Sequence, residues 1–118
     1  MVYFDVAVVG LGVTGSAALH RIALRNCRVA GLDFNPPGHD RGSSHGETRI
    51  IRLGYFEHPS YVPLVREALA LWRELEATTG GTLLTQTGII EIGAPESALV
   101  RGTLQSSQLH KLPHDVLS

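Results

Sequence analysis

Phe4-Asp-Val-Ala-Val-Val-Gly-Leu-Gly-Val-Thr-Gly15, followed downstream by Leu32-Asp33, is the stretch whose reading decides the fold. Phe4 to Val9 is a short apolar run rich in β-branched residues and stopped by Gly10, which predicts a strand buried on both faces, as in a parallel sheet. Val13 to Asn26 then carries Ala17, Ala18, Ile22 and Ala23 on one helical stripe, and Asn26 suits the end of that helix. Arg28 to Asp33 returns as a second strand. Strand, glycine turn, helix and strand make a βαβ unit with a right-handed crossover. The expected class is therefore α/β, with a Rossmann-like dinucleotide-binding start.

Gly10-Leu-Gly12-Val-Thr-Gly15 is a G-x-G-x-x-G pattern. The hexamer alone is weak, but here it follows a strand, opens a helix and precedes an acid at the end of the next strand. Gly10 permits the tight turn, Gly12 lets the backbone approach a pyrophosphate, and Gly15 lets helix and strand pack closely. The first helical turn, Val13 and Thr14 included, offers free N–H groups and a partial positive charge to an anion. Asp33 would accept hydrogen bonds from the adenosine ribose and repel a 2′-phosphate. The plain alternative is a glycine turn without a ligand, with Asp33 merely at a strand end. The motif does not separate FAD from NAD, since both present the same adenosine and pyrophosphate.

Outward from this unit, residues 34–46 form a loop dense in Pro, Gly, Asp and Ser, and Pro36-Pro37-Gly38 excludes helix or central strand. Ser60 reads as an N-cap, with Pro63 tolerated in the first turn of a helix running to about Thr78. Val65, Leu69, Trp72 and Leu75 form its apolar face, and Gly80-Gly81 ends it. Leu83–Thr85 and Ile89–Ile92 are expected as short strands around Gly88. Glu96–Lys111 is expected as a weaker amphipathic helix on Leu99, Leu104 and Leu109, and Asp115–Leu117 as the start of another strand. A doubly wound domain wants five or six strands, so residues 1–118 are read as the incomplete, amino-terminal part of such a domain, with the substrate domain mostly absent.

The chain has 118 residues, an apolar fraction of 43% and a formal net charge of -1. This suits one small folded domain and gives no electrostatic sign of nucleic acid or an acidic membrane surface. Cys27 is the only cysteine, which excludes an intramolecular disulfide and fits a reducing, cytoplasmic setting. Cys27 reads as a small buried hydrophobe. No basic leader precedes the apolar start, and no stretch approaches the ~20 apolar residues of a membrane span. His20, His39, His58, His110 and His114 show no metal-ligand spacing, and no metal is expected.

Arg41-Gly-Ser-Ser-His-Gly-Glu-Thr-Arg-Ile-Ile-Arg52 is the second unusual stretch. Small residues there permit close approach to a flat ring, and arginine supplies a charge near a reduced flavin or a bidentate clamp for a carboxylate. In helical geometry Arg49 and Arg52 would share a face. A solvated basic face, with His45 an ordinary surface histidine, satisfies the same composition.

With this segment the sequence resembles monomeric sarcosine oxidase, N-methyltryptophan oxidase and related FAD-dependent amine oxidases. The resemblance rests on the Phe4–Gly12 start, Leu32-Asp33, Pro36-Pro37, the RGSSHGETRIIR run with Tyr55, Tyr61-Val-Pro63, Leu71-Trp72 and Thr85-Gln-Thr-Gly88. It implies FAD rather than NAD, in a domain of the glutathione-reductase-like type. It also implies oxidation of a secondary N-methyl amino acid by O2 to an imine and hydrogen peroxide, in a monomer when complete. On the same resemblance Gly10, Gly12, Val13, Thr14, Gly15 and Asp33 hold the ADP part of FAD. Ser43, Ser44, His45 and Arg49 lie at the flavin, Arg52 holds the substrate carboxylate, and His45, Arg49 and Arg52 are the candidates nearest the chemistry. Glu47 stands where aspartate is commoner, and Leu11 where alanine is frequent. The family's flavin-attaching cysteine and its active-site lysines lie beyond residue 118, and neither Cys27 nor Lys111 matches them. An NAD-linked dehydrogenase and an inert nucleotide-binding fragment stand as the competing readings.

Overall fold

The protein is described by a computed structural model over residues 1–117. The chain divides into two compact units, Met1–Arg49 and the part from Ile50 onward.

The first unit is the βαβ motif. Strand β1 spans Val6–Val9, helix α1 spans Val13–Ala23 and strand β2 spans Val29–Leu32. The strands pair in parallel with Val6 opposite Val29 and Val9 opposite Leu32. Gly10 N–H donates to the Leu32 carbonyl at 2.7 Å, so the ladder runs into the turn. Gly10 then takes φ +90°, a left-handed conformation that costs glycine nothing. Helix α1 stops at a Leu24 cap, and Asn26 supplies the left-handed residue after it at φ 58°, the role expected of asparagine there. The Asp5 carboxylate ties the base of β1 to β2 by accepting from the Arg28 backbone N–H at 2.9 Å and from its guanidinium.

The expectation that the first strand is buried on both faces is not met. Val6, Val9 and Leu32 are exposed, because two strands and one helix cover only one side of the sheet. Cys27 is half-buried rather than enclosed.

The second unit holds α2, Tyr61–Thr79, and α3, Ala98–Leu109. Helix α2 begins after Ser60 and ends at Gly80 in the left-handed conformation, as the sequence predicts. Val65, Leu69, Trp72 and Leu75 lie on its less exposed face, with Val62 fully buried. The Ser60 hydroxyl does not cap the helix; it lies 2.8 Å from His58 Nδ1. After α2, the Glu76 carboxylate accepts from the N–H groups of Leu83 and Leu84, both at 2.8 Å, and from Arg73 at 2.7 Å. These donors hold its pKa below the ordinary glutamate value, the Leu84 N–H most of all.

Three expected strands, Leu83–Thr85, Ile89–Ile92 and Asp115–Leu117, are irregular chain. A strand exists only against a partner ladder, and among the described residues the only sheet is β1–β2. The face that α3 buries also differs from the leucine stripe. Ser106 and Ser107 are buried while Leu109 is exposed. The Ser106 hydroxyl donates to the Tyr55 carbonyl, and a Cβ on Gly102 would lie 2.0 Å from the Phe56 carbonyl oxygen. Small and polar residues on α3 therefore let the 53–57 segment lie directly on the helix.

Candidate cofactor cleft and arginine cluster

In the first unit, the β1–α1 turn and the 37–46 loop enclose a cleft of about 420 Å³ lined by Leu11, Gly12, Val13, Ser16, Pro37, Gly38, His39, Gly42, Ser44, His45 and Gly46. The turn beside it depends on Gly15. A Cβ there would lie 1.7 Å from the Gly10 carbonyl oxygen, so a side chain would push the helix start off the turn. The cap residue Gly12 has no side chain to satisfy the helix, and the first turn of α1 carries no acidic residue. Ser44 supplies one acceptor from the loop, its Oγ taking the Val13 N–H at 3.1 Å. The first backbone bond into the helix is Ser16 N–H to the Gly12 carbonyl at 2.9 Å. Thr14 and Gly15 thus lie in the part of the turn whose N–H groups find no helical partner.

Asp33 closes the turn from the end of β2. Its Oδ2 accepts from Leu11 N–H at 2.6 Å and its Oδ1 from Asn35 N–H at 2.9 Å. The Asn35 bond and then the Leu11 bond hold the Asp33 carboxyl below the ordinary aspartate value, so it is ionised at neutral pH. His39 Nε2 stands 3.5 Å from Oδ1, while His39 Nδ1 accepts the Arg41 N–H at 3.0 Å. That bond leaves the ring proton of a neutral imidazole on Nε2, facing the carboxylate. Sequence reading assigned His39 nothing. The signal available was its place in the Pro-Pro-Gly loop directly after Asp33.

The rest of the loop is folded on itself. His45 N–H donates to the Gly42 carbonyl at 3.1 Å, and its exposed ring borders the cleft. Arg49 staples the loop, donating to the Ser43 carbonyl at 3.3 Å and the Thr48 carbonyl at 2.7 Å. Residues 48–52 are not helical, so Arg49 and Arg52 share no helical face, and each makes its bonds inside its own unit.

In the second unit Arg52 is the centre of a cluster. Its NH2 donates to both Glu57 oxygens, at 3.0 and 2.8 Å, and its NH1 lies 3.6 Å from Glu91 Oε1. The guanidinium carbon stands 4.8 Å from the Tyr55 ring centre and 4.9 Å from that of Phe56, within cation–π range. A separate open depression on α3, lined by Arg101, Leu104, Gln105, Gln108 and Leu109, is one helix surface without convergent donors. Among the described residues no group of His, Cys, Asp and Glu could hold a metal ion, and no helix is long and apolar enough to cross a membrane.

A glycine turn leading from a parallel strand into a glycine-capped helix start, closed by a carboxylate from the next strand, defines a dinucleotide-binding unit. The chain belongs to the FAD dependent oxidoreductase family, whose sequence profile matches residues 5–118. It is 46% identical over 114 residues to a monomeric sarcosine oxidase from Streptomyces avermitilis, 97% of this chain and 30% of that protein. It is 41% identical to a monomeric sarcosine oxidase from Bacillus sp. (strain B-0618) over 98% of this chain and 30% of that protein. An N-methyl-L-tryptophan oxidase from Yersinia pestis (strain Pestoides F) is 40% identical over 98% of the chain and 31% of its own length. The chain thus spans about 30% of the length of the curated relatives it matches. The family is FAD-dependent, and the chemistry of the turn suits an anionic group: among the described residues the Thr14 and Gly15 N–H groups have no helical partner, and the first turn of α1 carries no acidic residue.

Proposed function

We propose that residues 1–118 are the amino-terminal part of a glutathione-reductase-like FAD-binding domain, in an enzyme that oxidises a secondary N-methyl amino acid with O2. Bound FAD would supply the electron acceptor. Gly10, Gly12 and Gly15 shape the turn, Val13, Thr14 and Gly15 present the helix start to the pyrophosphate, and Asp33 takes the ribose. Ser43, Ser44, His45 and Arg49 form the loop against the cofactor. Ser44 braces the helix start while Arg49 holds the loop closed.

The observation that carries the substrate class is at Arg52. Its guanidinium already grips a carboxylate, that of Glu57, through NH2, with its central carbon over the Tyr55 and Phe56 rings. A free amino acid presents the same group, and anchoring it orients the Cα–N bond for oxidation. The relatives named for sarcosine and N-methyl-L-tryptophan support amino acids of this kind. The test is peroxide formation by the full-length protein with sarcosine, N-methyltryptophan and pipecolate, each beside its decarboxylated analogue. Turnover confined to the carboxylated members supports the reading. Equal turnover of the decarboxylated amines contradicts it.

A further inference from the structure

The two glutamates on Arg52 sit in different surroundings. Glu57 has a side chain 44% exposed, whereas that of Glu91 is 12% exposed. Glu91 also belongs to a run, Ile89-Ile-Glu-Ile92, in which the usual arrangement is inverted. Ile89, Ile90 and Ile92 are exposed at 58%, 76% and 86%, and the acid is the residue turned inward. A carboxylate is buried only when something there compensates its lost hydration. Here the compensation is the Arg52 guanidinium and the Thr103 hydroxyl, which donates to Glu91 Oε2.

We propose that Glu91 is a positioning residue for Arg52. It holds the NH1 side of the guanidinium from the buried side, and the Tyr55 and Phe56 rings lie against its central carbon. The NH2 edge is then presented outward, where Glu57 now sits and where a substrate carboxylate takes its place. The proposal rests on reading Arg52 as the carboxylate clamp, and it divides the two acids: Glu57 is exchangeable and Glu91 is fixed. Among the described residues Arg52 Nε and Glu91 Oε1 are both buried without a hydrogen-bond partner, and Arg52 NH1 stands 3.6 Å from that oxygen.

The experiment uses the full-length protein with Glu91→Ala, Glu91→Gln and Glu91→Asp, beside Arg52→Ala. KM and kcat are measured for the N-methyl amino acid it oxidises, and the Kd of acetate is read from the flavin spectrum. A guanidinium released by about 1 Å should raise KM and the acetate Kd and lower kcat/KM by up to about 10²-fold, since the amino acid loses both its anchor and its orientation. Glu91→Asp should recover most of the loss. Glu91→Gln keeps the shape and an acceptor for Thr103, and should fall between; it carries the test if Glu91→Ala fails to fold. Lowered thermal stability with KM and Kd unchanged would make Glu91 a packing residue only, and a KM that falls would show that it repels the substrate; either overturns the proposal. If Arg52→Ala itself leaves KM and Kd unchanged, the clamp reading has failed. If Arg52→Ala raises both and the Glu91 variants raise neither, only the positioning role has failed.

Discussion

Gly15→Ala is the substitution on which helix propensity and packing make opposite predictions. Alanine inside α1 should gain about 1 kcal/mol over glycine on propensity alone. Against this, the new Cβ would stand 1.7 Å from the Gly10 carbonyl oxygen and 2.9 Å from its carbon. That oxygen cannot turn away freely, because Gly10 is held at φ +90° and its N–H is bonded to Leu32 at 2.7 Å. Relief requires the helix start and the turn to part by more than about 1 Å, at a cost at or above the ~1–3 kcal/mol of an overpacked core. The clash wins, by up to roughly 2 kcal/mol on these figures. The same movement carries the Thr14 and Gly15 N–H groups away from the cleft. The assay is a thermal melt of the full-length protein together with flavin content per mole after purification. Both should fall. As a control, Gly81→Ala meets only Thr79 Oγ1 at 3.9 Å and should change neither. A Gly15→Ala protein with normal flavin content and an equal or higher melting temperature would refute the reasoning.

Ser44→Ala removes the side-chain acceptor of the Val13 N–H at the start of α1, where the cap residue Gly12 offers none, and should cost about 1 kcal/mol in a melt; an unchanged melt would mean that water replaces it. The Asp33 carboxyl is depressed by the Asn35 and Leu11 N–H groups. Its stabilisation is therefore present in full above the unfolded value of about 4 and is lost as pH falls through the lower folded value. Flavin release followed down a pH series should show this transition, and Asp33→Asn should release flavin more readily and lose it; an identical profile in the variant would count against Asp33. Glu57→Gln frees the NH2 edge of Arg52 and should lower KM for an amino acid, whereas a raised KM would mean that Glu57 assists the clamp rather than competing for it.

The βαβ unit was legible because its determinants are local. An apolar run, three glycines at set spacing, an alanine stripe and Asn26 each act within a few residues, and the structure follows them. Composition predicts strands at Leu83–Thr85 and Ile89–Ile92, but a strand depends on a partner that no local pattern supplies. The two-sided cover expected of β1 failed for the same reason, since burial on a second face needs a layer that the local run of residues cannot reveal. In the site, Asp33 was placed by its spacing from the glycines, but its bond to Leu11 and the approach of His39 follow from how the 34–46 loop folds. The pairing of Arg52 with Glu91 joins residues far apart in sequence and reverses the usual pattern of isoleucine in and glutamate out. Periodicity points away from that contact.

The most direct test of the account is the visible absorption spectrum of the purified full-length protein, recorded anaerobically before and after addition of an N-methyl amino acid. The account predicts a flavin band that bleaches on mixing and returns when air is admitted. A protein that carries no flavin, or whose flavin band is indifferent to every secondary amino acid offered, would contradict it.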